Sequence, residues 1–95
     1  MDELASLWQI HREASWPKFS DPNEGELMTL DTVISGCVTY FLESEGGLDP
    51  QRVDILGSCL VDLGGHLVGL EDEAGEYFVR LHRLGGMLLE AQRRR

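Results

Sequence analysis

An all-α fold, a small up-down helical bundle, follows from three observations on this 95-residue chain. Apolar residues recur at alternating spacings of three and four in three long stretches, the repeat of one helix face packed on others. Asp21-Pro22 and Asp49-Pro50 stand 28 residues apart, each a helix cap followed by a proline that fits the first turn. Short links, one carrying Gly46-Gly47, separate the stretches. The reading is one short N-terminal helix plus three long ones, at about 2–14, 22–45, 50–69 and 72–93, in a single domain 1–95.

Asp2 caps the first helix in this reading. Leu4, Leu7, Trp8 and His11 share a face with Ile10 beside it, and three turns must dock through Trp8 to be stable. Pro17 ends the helix by disfavouring it at Trp16. The segment from Ser15 to Glu26 is the one irregular connection. Its aromatics Trp16 and Phe19 either tuck over the core as a plug or form an exposed partner-binding patch.

The second helix carries Leu27, Leu30, Ile34, Cys37 and Phe41 on one seam, with Val33, Val38, Tyr40 and Leu42 widening it. The third has the large seam Val53, Leu56, Leu60, Leu63, Leu67 and Leu70. Beside it runs a stripe of small residues, Asp54, Gly57, Val61, Gly64 and Val68. A helix apolar on two sides is surrounded by others, so this helix is expected at the centre of the domain. Gly57, Gly64, Gly65 and Gly69 each cost about 1 kcal/mol relative to Ala. Close packing of another backbone on the stripe is expected to offset that, so Gly64→Leu is expected to destabilise. The helix is expected to run through Gly64-Gly65 and to end at Gly69.

The fourth helix opens with Glu71, Asp72 and Glu73, where the helix dipole favours negative charge. Ala74, Tyr77, Leu81, Leu84, Leu88 and Ala91 form its seam, and Gly75, Phe78, His82, Gly85 and Leu89 a second stripe. Glu76–Arg80 and Glu90–Arg94 are expected ion pairs at i,i+4. Arg93-Arg94-Arg95 sits at the dipole's negative end and is expected to fray. The surplus of apolar stripes on the third and fourth helices predicts a homodimer joined through apolar helix faces.

Net charge is −9, and without Arg93–Arg95 it is −12. Such a surface repels phosphates, so no direct nucleic-acid binding is expected, and it suits a partner with a basic surface. The acidic start Met1-Asp2-Glu3 does not resemble a signal peptide, and no 18-residue apolar run exists, so no membrane association is expected. Cys37 and Cys59 read as small buried thiols in a reducing cytosol, with an inter-helix disulfide as the alternative. The expected location is cytoplasmic.

The chain contains no GxSxG, P-loop, GxGxxG, CxxC or HExxH, and its serines and cysteines lie inside helices. It is read as not an enzyme, with no cofactor. An enzyme assembled across a dimer interface is a third reading. The best metal constellation is Asp62 with His66 at i,i+4, with Cys59 on the same helix and His82 from the next. The competing reading of Asp62 and His66 is a plain hydrogen-bonded pair. His11 and His82 read as residues at the boundary of an apolar face. Acidic residues cluster at Glu71, Asp72, Glu73 and Glu76, and again at Glu43, Glu45 and Asp49.

The function expected is protein–protein binding, as an adaptor or an inhibitor or immunity-type regulator. The expected surface combines Trp16 and Phe19 with Glu71, Asp72, Glu73 and Glu76. The alternative is a ligand- or metal-binding bundle using Asp62, His66, His82 and Cys59. No motif in the chain names a family.

Overall fold

The computed structural model describes residues 2–45 and 47–94; Met1, Gly46 and Arg95 lie outside the described residues, and with them part of the expected glycine stop and basic tail. Among the described residues there are four helices and no strand: α1 (Glu3–Glu13), α2 (Glu24–Glu43), α3 (Pro50–Leu67) and α4 (Asp72–Arg93).

Each start has a local cause. Asp2 Oδ1 accepts from Leu4 N–H at 3.0 Å, and Asp49 Oδ1 from Arg52 N–H at 2.8 Å with Pro50 in the first turn. The backbone bond from Arg52 leads the causes that hold the Asp49 carboxyl below its ordinary value. The α2 start differs from expectation. Asp21 caps a tight turn instead, accepting from Asn23 N–H at 2.7 Å, and the helix begins at Glu24. Two residues are thereby spent on the turn, because Asp21 satisfies the backbone locally before the helix can use it. α2 stops at Glu43, three residues short of the glycine pair, and Gly47 carries φ 75 in the link. α3 passes through Gly64-Gly65 unbroken and ends at Leu67, just short of Gly69.

The helix at the centre is α4, not α3. α4 packs against all three other helices. It buries Ala74, Tyr77, Phe78, Leu81, Leu84, Gly85 and Leu88, whereas α3 buries only Leu56 and Leu63. The large seam of α3 does pack: Val53, Leu60, Leu67 and Leu70 lie against the core. Its small stripe does not, with Val61 76% and Val68 93% exposed. Periodicity marks a face as apolar without ranking it. The area buried per residue decides, and Tyr77 and Phe78 offer far more than glycine and valine.

The glycines follow the same division. A Cβ on Gly57 or Gly65 would meet nothing within 4 Å, and one on Gly64 would stand 3.5 Å from His82 Nε2, an ordinary contact. The close approach between helices is at Gly85, where a Cβ would lie 2.5 Å from Leu60 Cδ2, 3.3 Å from its Cγ and 3.4 Å from Ile34 Cγ2. Gly57→Ala is therefore expected to stabilise the fold by about 0.5–1 kcal/mol. Gly85→Leu is expected to destabilise it by about 1–3 kcal/mol through overpacking. Thermal melts of the two variants check the contrast, and equal shifts would return the tight seam to α3.

Four of the five seam residues of α2, Leu27, Leu30, Ile34 and Cys37, are buried as read; Phe41 is only partly buried against the core, and Val38 from the flank is buried with the seam. Across the other end of the molecule, the Gln92 side chain accepts from Leu48 N–H at 2.8 Å and donates to Leu48 C=O at 3.2 Å. That amide clamp ties the α2–α3 link to the last turns of α4. The radius of gyration is 13.0 Å, close to the about 12 Å of a compact chain this long. No helix among the described residues is long and apolar enough to cross a membrane.

Candidate functional site

The chemistry of the molecule gathers where α1, α2 and α4 meet. His11 sits in the last turn of α1 and is 3% exposed. Its Nε2 lies 2.9 Å from Asp31 Oδ1 on α2. Tyr77 on α4 donates its hydroxyl to Asp31 Oδ2 at 2.8 Å, and Ser35 Oγ adds a longer bond to Oδ1 at 3.4 Å. Arg80 Nε donates to His11 Nδ1 at 3.4 Å. Arginine carries only donors, so His11 Nδ1 accepts and Nε2 holds the hydrogen that points at Asp31. Rings complete the contact, with His11 and Tyr77 4.6 Å apart and the Arg80 guanidinium 5.5 Å from the Tyr77 ring.

Every bond in this chain of side chains runs from a donor to an acceptor, and no buried side-chain polar atom among the described residues lacks a partner. Burial, then the Asp31 contact, pushes the Tyr77 phenol far above the ordinary value of 10.0, so it remains a neutral donor. His11 was legible only as a boundary residue, because its partners come from positions 20, 66 and 69 residues away and no local spacing announces them.

Immediately outside the network is a hollow of about 240 Å³, lined by Ser15, Trp16, Pro17, Glu73, Glu76, Tyr77 and Arg80. The loop after α1 forms one wall and the first three turns of α4 the other. Trp16 is partly buried and packs edge-on to Tyr77 and Phe78 at 5.5 and 5.6 Å, while Phe19 lies 6.0 Å from Phe78. These two aromatics are thus the plug, resting on the core. Trp16 Nε1 donates to Glu24 Oε2 at 3.3 Å, which fixes the indole across the loop. Of the residues expected to form a partner surface, Trp16, Glu73 and Glu76 meet at the hollow. Phe19 is turned to the core beneath it, and Glu71 and Asp72 lie outside its lining. Asp72 adopts φ 54 at the exposed start of α4.

The expected Glu76–Arg80 pair is not formed; Arg80 turns to His11 instead. Glu90–Arg94 is present at 3.5 Å. The metal constellation is not assembled: His66 Nε2 bonds Glu26 Oε2 at 3.1 Å, not Asp62, which is exposed. Asp62 and His66 are therefore not the hydrogen-bonded pair expected, because His66 reaches across to α2. His82 faces Gly64. No three His, Cys, Asp or Glu side chains converge to hold a metal among the described residues. Cys37 and Cys59 are free thiols, and burial raises the pKa of both.

No family model, curated protein or solved structure matches this chain.

Proposed function

We propose that this protein acts by binding another protein, receiving a basic side chain of that partner in the hollow between Trp16 and the first turns of α4. One observation carries the reading. The hollow unites an aromatic wall, Trp16 and Tyr77, with Glu73 and Glu76, two carboxylates without a hydrogen bond or ion pair among the described residues. A cation docked there meets both a π face and negative charge. The overall charge of −9 would steer a basic surface toward it. An inhibitor that masks such a surface is the specific form of the reading, without catalysis of its own. The two free thiols fit a reducing cytosol.

Capture from a native lysate tests it. A partner held by the wild-type chain at low salt is expected to be lost with Glu73→Gln/Glu76→Gln, with Trp16→Ala, and at high salt. Equal recovery by all of them would overturn the proposal.

A second copy covering α3 is the oligomeric part of the reading, supported by exposed Ile55, Val61 and Val68. Asp54 and Asp62 border that stripe, so self-association strengthens with salt while partner binding weakens. The contacts of Glu26 with His66, Leu60 with Gly85 and His11 with Tyr77 support an up-and-down helix order.

A further inference from the structure

The hollow holds an unspent cation as well as unspent anions. Glu76 and Arg80 stand one turn apart on α4, where ion pairing is the ordinary outcome. Here Arg80 Nε donates to His11 Nδ1, His11 is held by Asp31, and Asp31 by Tyr77. The buried network therefore pins the guanidinium and keeps it from collapsing onto Glu76. Among the described residues no carboxylate lies within ion-pair distance of Arg80. Among the described residues only one of its five N–H donors is used, and the remaining fork is matched to a carboxylate. Glu73 and Glu76 stand on the same wall, equally unpaired.

An anion alone would meet repulsion from the two glutamates, and a cation alone, though attracted by them, would leave Arg80 without a partner. A group carrying both charges satisfies the site. The volume of about 240 Å³ falls below the roughly 300–1,000 Å³ of pockets for drug-sized ligands, so it suits one amino-acid residue. Trp16, Pro17 and Tyr77 supply apolar walls for the methylene stem of a basic side chain.

We propose that the hollow recognises a basic residue with a free α-carboxylate, the carboxylate on Arg80 and the side-chain cation on Glu73 and Glu76. This rests on the basic-partner reading and specifies which basic residue is read. The chemistry has two sources, a free basic amino acid or the C-terminal residue of a partner chain.

Calorimetric titration of the whole protein separates them. The probes are acetyl-Gly-Gly-Arg with a free carboxylate, the same peptide amidated, acetyl-Gly-Gly-Leu with a free carboxylate, and free arginine. The acid is expected to bind at least about tenfold tighter than its amide and than the leucine peptide. Free arginine binding more tightly than the acid identifies the amino acid as the ligand and overturns the partner-protein reading; equal or weaker binding keeps the chain terminus. Arg80→Gln is expected to erase the acid-over-amide preference while the amide still binds. Glu73→Gln/Glu76→Gln is expected to weaken both. Equal binding of acid and amide by the wild-type protein would overturn this proposal and leave the basic-partner reading standing. Binding of none of the arginine probes would remove both.

Discussion

Asp31→Ala is expected to lower the melting temperature by at least about 10 °C, far more than its partly exposed position would suggest. The carboxylate accepts from His11, Tyr77 and Ser35. Its removal orphans the His11 Nε2–H and the Tyr77 hydroxyl on residues that are 3% and 7% exposed. Each orphaned donor costs about 1–3 kcal/mol. The sum of about 2–6 kcal/mol is a large part of the stability of a small domain, and each kcal/mol moves the midpoint by about 4–8 °C at this size. Asp31→Asn keeps one acceptor oxygen and is expected to lose less.

The same variant has a spectroscopic signature. Tyr77 ionises above 10.0 first because it is buried and second because Asp31 accepts its hydrogen. Loss of Asp31 therefore brings its ionisation, followed near 295 nm, part of the way down and not all of it. The sign for stability follows from the raised value. The contribution of the neutral phenol is full below pH 10.0 and is lost as pH rises beyond it. A Tyr77 titration unmoved by Asp31→Ala would mean that the hydrogen bond does not govern the phenol.

What the chain revealed on reading divides along a physical line. Seams made of large side chains at helical spacing were legible, because burying Leu27, Leu30, Ile34 or Leu81, Leu84, Leu88 is a local consequence of period and bulk. The caps Asp2 and Asp49 were legible for the same reason, since a cap is a matter of two or three residues. The rank of the helices was not. α3 looks more apolar than α4 by composition, yet α4 carries the aromatics that take the centre.

The candidate site divides similarly. Trp16, Glu73 and Glu76 could be named in advance from aromatic content and charge, and the fold brings them together. The His11–Asp31–Tyr77–Arg80 network could not, because each bond joins different helices. Its one sequence signal was negative: Asp31 and His11 each interrupt or border an apolar arc, and a polar residue there is costly unless something far along the chain meets it. The i,i+4 rule failed at Glu76–Arg80 for the same reason. A local pair on an exposed surface contributes only a few tenths of a kcal/mol, and a buried imidazole acceptor outbids it.

Phe78→Ala carries the largest expected loss, about 3–5 kcal/mol, from the cavity it opens and the contacts it removes. Phe78 is fully buried, with Tyr77, Trp16 and Phe19 at ring separations of 4.9, 5.6 and 6.0 Å. Three edge-on pairs, each worth about 0.5–1.5 kcal/mol beyond area, converge on this one ring. Phe78→Leu keeps most of the volume and is expected to cost less, chiefly those pair terms. The two variants therefore separate bulk from ring geometry in a denaturant midpoint. The consequence for the hollow is separable from stability. Trp16 rests on Phe78, so its indole N–H resonance is expected to move in Phe78→Ala even at temperatures where the fold persists, and the affinity for a basic partner to fall with it. Gly57→Ala, which alters packing nowhere near the hollow, is expected to leave that resonance in place. An unmoved Trp16 signal in Phe78→Ala would mean that the Glu24 hydrogen bond and the Tyr77 contact hold the plug without Phe78, and the wall of the hollow would then not depend on that ring.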